Sequence, residues 1–295
     1  MMRQGTVPQP QGLPRKPSPS SPGGKHLPGH LSWLIDTGQR LKTADANTVQ
    51  VLEFRHQKDD KVLSEWAKHF RNHYCLDSDI DILRKGTGYS RAEYLNQIKF
   101  PDASAKPGPS IRSGDFGEIL VADYLQYLLD YWVPRTRYCH KAVRNESTKG
   151  CDIIGFKIFN EGQESTKDTL AVYEVKASLT GNKSDNKLQE AVQDSAKDVT
   201  RKAESLNALK QRLLDQGQTG LSSLVERFQN SEDHPYREVS GAVALFSTSC
   251  YMPTHASATD ASKHPNSDNL MLIVIHGPDM MKLVHELYRR AADEA

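Results

Sequence analysis

Apolar and polar residues change their period several times along this chain. Around residues 49–54, Val49 and Val51 alternate with Gln50, Leu52 and Phe54 as in a strand. Val62, Leu63, Trp66, Ala67, Phe70 and Tyr74 then recur at helical spacing. Ser90 and Glu93 make a capping box that opens a short helix ending before Pro101. The stretch from Leu31 to about Lys106 therefore predicts a small α+β or mostly helical subdomain, followed by a stiff connector from Ala105 to Pro109.

Beyond the connector, Val121, Ala122, Leu125, Leu128, Leu129 and Trp132 form one stripe of a helix that starts near Ser113 and stops before Pro134. Glu118 falls near the centre of that stripe, while Asp123, Gln126 and Asp130 take a different side. Tyr138 to Val143 predicts a first strand, Cys151 to Phe156 a second and Thr169 to Ser178 a third. Gly181 to Asn186 leads into a long helix whose stripe runs from Leu188 to Leu213. Residues 217–240 read as a loop with one short helix, before strands at Ala242 to Ser249 and Leu270 to His276 and a closing helix from Asp279 to Ala291. From Gly114 onward the order is helix, three strands, long helix, two strands and helix, which predicts an α/β fold with a mixed central sheet.

The third strand carries an unusual pair of charges. Its tight apolar run suggests cover on both faces, yet Glu174 and Lys176 point to the same side, roughly 7 Å apart along the strand, beside Leu170 and Val172. Burying both costs several kcal/mol unless each has a partner or a metal. An edge strand whose Glu and Lys reach water or pair with each other is the plainer account of an isolated Glu-x-Lys. Glu118, on the inward stripe, reads equally as an amino-terminal cap or dipole partner with Asp115, and Asp152, at the mouth of an apolar strand, as a turn residue or a ligand. Taken together, three carboxylates and a lysine at the edges of neighbouring elements suit a hard cation, Mg²⁺ or Mn²⁺. Such an ion would acidify a coordinated water and neutralise charge on a phosphate, with Lys176 steadying the transition state, so the set points to phosphodiester hydrolysis. Lys141, Arg144 and Lys149, just before Asp152, are candidate DNA phosphate contacts, with an ordinary exposed turn as the alternative.

Composition narrows the class. The 295 residues, 37% hydrophobic and 25% charged, suffice for a sizeable core, and the net charge of +1 restricts any nucleic-acid contact to a local patch. Residues 1–28, rich in Pro, Gly and Ser, predict a disordered tail. Four scattered cysteines with no Cys-x-x-Cys pair, and no apolar signal core, predict a reduced, cytoplasmic protein; no apolar run is long enough to span a membrane. His69, His73 and Cys75 lie close together, but no second cluster completes four ligands, so zinc is not expected.

The order Glu118, Asp152, twenty-one residues, then Glu174-Val175-Lys176 resembles the PD-(D/E)xK nuclease core with its αβββαβ order, although Cys151 stands where that pattern has Pro. More closely, the runs Trp66-Ala67-Lys68-His69-Phe70-Arg71, Gly108-Pro109-Ser110-Ile111-Arg112-Ser113-Gly114-Asp115-Phe116-Gly117-Glu118 and Gly150-Cys151-Asp152-Ile153-Ile154-Gly155, together with Glu174-Val175-Lys176, resemble the nuclease subunit of the Hachiman anti-phage system (HamA) and its relatives in two-gene helicase–nuclease defence operons. The resemblance covers roughly residues 60–295. It implies a Mg²⁺-dependent deoxyribonuclease with Glu118, Asp152, Glu174 and Lys176 as site residues, the three acids holding the metal. It further implies a superfamily 2 helicase partner (HamB-like) that restrains the nuclease. With the pattern read above, residues 29–107 are expected to form an amino-terminal subdomain and 108–295 the nuclease domain. Gln189 could match a polar residue often found in this superfamily, or be a solvated helix residue. Two other readings stay open: a catalytically silent docking subunit of a helicase complex, and a sequence-specific restriction-type endonuclease.

Overall fold

A computed structural model of the protein describes residues 27–160, 162–181 and 186–295. The expected tail over residues 1–28 lies, but for its last two residues, outside the described part, as do residues 182–185 of the loop before the long helix. The alternating stretch forms β2 (Thr48–Phe54), which pairs antiparallel with β1 (Leu34–Lys42). The helical stretch forms α1 (Asp60–Tyr74), begun by Asp59, whose side chain accepts from the Val62 amide. Short helices α2 (Ile80–Leu83) and α3 (Arg91–Tyr94) follow, and the Ser90–Glu93 capping box is present. Then come α4 (Gly108–Asp123), β3 (Ile153–Lys157), β4 (Thr169–Ser178), α5 (Lys187–Asp215), α6 (Thr219–Glu226), β5 (Arg237–Ser247), α7 (Pro253–Ser257), β6 (Leu270–Gly277) and α8 (Met280–Asp293).

One six-stranded sheet runs in the order β1-β2-β6-β5-β4-β3. The four central strands are parallel and the two edge strands antiparallel, so the expected α/β fold with a mixed sheet is what forms. Residues 29–107 supply two of these strands, and β2 lies directly against β6 from the far end of the chain. Helices α1, α4 and α8 cover one face around Trp66, Phe70, Tyr74, Phe116 and Tyr288; α5 and α6 cover the other. Gly117 lets α4 sit close to the sheet, because a Cβ there would lie 3.2 Å from Val175 and 3.3 Å from Leu245. β4 is an interior strand, and its first seven residues, Thr169 to Val175, are buried.

Three expectations fail between Asp123 and Asp152. The helix expected to reach Trp132 begins earlier, at Gly108, and gives way after Asp123 to a wider turn over Tyr124–Leu128. Trp132 instead exchanges two 2.8 Å backbone hydrogen bonds with Phe156 of β3. The strand expected at Tyr138 to Val143 is a series of turns. Its polar groups are satisfied by side-chain ties to α4 and to the loop near Phe100, not by a ladder, so two strands, β3 and β4, stand between α4 and α5. Asp123, expected on the polar side of its helix, is fully buried.

Candidate active site

The register of the β3–β4 pair assembles the site. Ile153 lies opposite Tyr173, so one further step sets Asp152 beside Glu174. The Val175 amide donates to Asp152 Oδ2 at 3.0 Å and fixes that carboxylate across the strand end. Glu174 and Lys176 share the face turned towards α5, as the period of two requires. Lys176 Nζ donates to Glu174 Oε1 at 2.6 Å and lies 2.7 Å from Asp194 Oδ2 of α5. One helical turn on, Asp198 is 2% exposed; Arg201 lies 4.0 Å from its Oδ1, and neither oxygen has a well-formed hydrogen bond among the described residues.

Glu118 comes from α4, on the opposite face of the sheet, and connects to this group through Arg137. The guanidinium donates from Nη2 to Asp152 Oδ1 at 2.9 Å, and its Nε lies 3.1 Å from Glu118 Oε2. It also donates to the carbonyls of Cys151 and Thr148, while the Tyr138 hydroxyl donates to Glu118 Oε2 at 2.6 Å. Asp152, Glu174 and Lys176 are thus brought together directly, and Glu118 is one guanidinium away.

Anions outnumber cations here. Burial, reinforced by the Asp152 charge against the pull of Lys176, pushes Glu174 up to about 9. Burial likewise pushes Glu118 up to about 8, with Arg137 opposing and Asp152 adding to the effect. Asp198 rises to about 6 through burial and the same Asp152 charge. Burial opposes the Lys176 ammonium, yet Asp194 and Glu174 hold its pKa above the usual lysine value. An oxygen-only donor set has the chemistry of a hard divalent cation's site, but among the described residues no three of these carboxylates converge closely enough to share an ion as they stand.

The chain's wider affinity agrees with this layout. A family model named HamA matches residues 29–291, and so spans every element from β1 into α8. The chain belongs to the HamA family. Membership makes it a component of the Hachiman anti-phage defence system. A comparison with curated proteins finds no match. No helix of this HamA-family chain, among the described residues, is long and apolar enough to cross a membrane.

Of the three candidate phosphate contacts, only Lys149 faces the site. It lines a cavity of about 250 Å³ beside Asp152, together with Arg137, Gly150, Glu204, Ser205 and Arg212. The Arg212 guanidinium has no ion-pair or hydrogen-bond partner among the described residues; burial and the neighbouring Arg137 charge lower its pKa. The Lys141 side chain is only 4% exposed and sits 2.6 Å from Asp115, beside the Tyr74 and Tyr138 rings. Arg144 is tied to the carbonyls of Asn96 and Phe100 and to Asp102. Both cations are taken up in holding the segment that replaced the expected strand. Gln189 exchanges two hydrogen bonds with the Asp260 backbone and clamps that loop to α5. Burial pushes the Cys151 thiol up to about 12, which keeps it protonated near neutral pH.

Sequence reasoning missed Asp194, Asp198, Arg137 and Arg212 in this HamA-family chain. Asp198 carried a signal: it lies seven residues from Ala191 and three from Ser195, on the inward stripe of the long helix. Arg137 carried none, since it lies in an irregular segment whose course only the tertiary fold sets.

Proposed function

We propose that this site hydrolyses phosphodiester bonds in DNA with Mg²⁺ or Mn²⁺, as a PD-(D/E)xK-type nuclease within a Hachiman defence complex. The observation that carries the reading is the grip of Glu174 and Asp194 on one ammonium, Lys176, with Asp152 set opposite Glu174 by the strand register, at a depth where Glu174 is pushed up to about 9. A purely structural cluster gains nothing from so many buried, mutually repelling carboxylates.

Asp152 and Glu174, with Glu118 within reach of Asp152 through Arg137, would hold the ion. Bound there, it would neutralise charge on the scissile phosphate and make water acidic enough to attack near neutral pH. The chain's own groups do the rest. Lys176 stays cationic between Glu174 and Asp194 and supplies a fixed positive charge where negative charge develops on the phosphate. Asp194 is itself braced by Lys197 at 2.5 Å, which fixes the direction of the Lys176 side chain. Lys149 and Arg212, on the cavity beside Asp152, would take the adjoining DNA phosphates.

The family likeness supports a superfamily 2 helicase partner that restrains the nuclease. The engagement of both Glu118 and Asp152 by Arg137 fits a resting state that a partner could relieve. The same contact favours the second reading, a catalytically silent docking subunit, if Arg137 never yields.

Degradation of plasmid and linear DNA by the purified protein, alone and with any helicase encoded beside it, tests the proposal. Cleavage that needs Mg²⁺ or Mn²⁺ and disappears in Lys176→Ala supports it. No cleavage under any metal with the helicase present, or equal cleavage by the variant, overturns it.

A further inference from the structure

The zinc set aside on sequence grounds returns in a different form. His69 and His73, one turn apart on α1, place their Nε2 atoms 3.3 Å from each other, and His69 Nε2 lies 2.9 Å from Asp123 Oδ1 of α4. All three ligand atoms fall within 4.8 Å of one another. Cys75 takes no part; its thiol contacts the Leu76 carbonyl at the end of α1.

Hydrogen bonds alone do not satisfy this arrangement. An imidazole Nε2 has one in-plane direction, holding either a proton or a lone pair. His69 Nε2 is approached from two sides, by a carboxylate oxygen and by another imidazole nitrogen. If it donates to Asp123, it has no lone pair left for His73; if it accepts from His73, its lone pair opposes that of Asp123 at 2.9 Å. A cation among the three atoms satisfies all of them at once. Ligand bonds of about 2.0 to 2.1 Å in a tetrahedral site put neighbouring donor atoms about 3.3 Å apart; the His69–His73 and His69–Asp123 separations of 3.3 and 2.9 Å are near that value, and the widest separation, 4.8 Å, has to close when the ion binds.

We propose that His69, His73 and Asp123 bind a divalent transition-metal ion, Zn²⁺ by preference, separate from the nuclease site. Two imidazoles and a carboxylate select a first-row transition ion over Mg²⁺. The outer contacts needed to orient the ligands are present. His30 Nε2 lies 3.0 Å from Asp123 Oδ2 and stacks on Trp66, and Arg135 donates to Asp123 Oδ1 at 2.8 Å and is braced by Gln126. Arg135 adds positive charge beside the ion, but as a donor to a ligating oxygen it occupies no coordination position. The His69 side chain is 31% exposed, which leaves an entry path and room for a water ligand. The ion would lock α1 and the turn at His30 to α4, five residues from Glu118. Tyr138, which lies edge-on to His73 and donates to Glu118, joins the two regions.

The test uses untagged full-length protein, dialysed against a weak chelator and analysed for bound metal by mass spectrometry, then titrated with Co²⁺. We expect a single retained equivalent of Zn²⁺ and a saturable visible Co²⁺ spectrum in the wild type and in Lys176→Ala, with both lost in His69→Gln and His73→Gln. His69 is partly exposed, so His69→Gln keeps the test informative even if the buried His73 or Asp123 variants fail to fold. No retained metal and a featureless Co²⁺ titration in the wild type would overturn the proposal. So would unchanged retention in His69→Gln, or loss in Lys176→Ala, which would place the ion at the other site. None of these outcomes depends on DNA cleavage.

Discussion

Arg137 is joined to Asp152 by a 2.9 Å hydrogen bond from Nη2 to Oδ1, and through Nε it reaches Glu118 as well. One guanidinium thus supplies the positive charge that a bound cation would otherwise bring to these two acids. Replacing it by Met leaves both carboxylates, each under 15% exposed, without a counter-charge. Breaking such a pair from one side costs about 3 kcal/mol or more in metal-free protein. Arg137→Met should therefore lose about that much in urea denaturation with chelator present, and recover more of it than the wild type when Mg²⁺ is added. Equal Mg²⁺ increments in the two proteins would show that the guanidinium does not share its place with a metal.

Lys176→Ala and Glu174→Gln separate catalysis from stability. Asp194 keeps Lys197 when Lys176 is removed, and Glu174, pushed up to about 9, is mostly protonated near neutrality. Either change should cost only about 1 kcal/mol of folding free energy, while cleavage falls by roughly two to three orders of magnitude. A variant that loses its fold along with its activity would mark the pair as a structural strut instead.

Two nearby cations should respond oppositely to removal. Arg212 has no partner beside the cavity, so Arg212→Glu, in a Lys176→Ala background, should weaken DNA binding about tenfold and flatten its salt dependence without affecting folding. Lys141→Met leaves Asp115 buried and unpaired, so it should lower stability by about 3 kcal/mol and leave the affinity of the folded fraction alone. Fluorescence anisotropy across a salt series, beside urea titrations, distinguishes the two effects. Reversed outcomes would move the DNA path from the cavity to the Lys141 turn.

The strands and long helices were legible because their residues repeat. α1, α5 and α8 follow a period of 3.6, β2 alternates, and β4, β5 and β6 are short unbroken apolar runs; the strand geometry alone put Glu174 and Lys176 on one face. Asp152 opposite Glu174 needed the pairing register, which the pattern of one strand does not contain. The segment from Asp130 to Asp152 has no period. Its course depends on long-range ties such as Lys141 to Asp115 and Arg144 to the Phe100 carbonyl, so the expected strand at Tyr138 and the exposure of Lys141 were both misread. Asp123 was misread because the groups that bury it, His30, His69 and Arg135, come from three distant points of the chain.

The raised carboxyl groups link folding, metal and pH. Glu174 at about 9 and Glu118 at about 8 both lie above their ordinary 4.5, so the folded protein binds more protons than the unfolded chain between those values. Their stabilising effect is complete below about pH 4.5 and is lost as pH rises towards 8 and 9. His30 and His73 act in the opposite sense: burial lowers both, so their contribution is present above about 6.5 and fades as pH falls. Metal-free protein should therefore be most stable between about pH 6 and 7 and lose stability towards pH 9, by up to about 1.4 kcal/mol per pH unit for each titrating carboxyl. A divalent ion binds the deprotonated acids and must displace their protons, so its stabilising increment should grow from pH 6 to 9. Thermal denaturation across that range, with chelator and with Mg²⁺, reads both slopes, and Glu174→Gln should remove part of each. If the chelator curve is flat from pH 6.5 to 9, the acids are solvated enough to ionise without a metal, and the physical case for a cation at this site loses its main support.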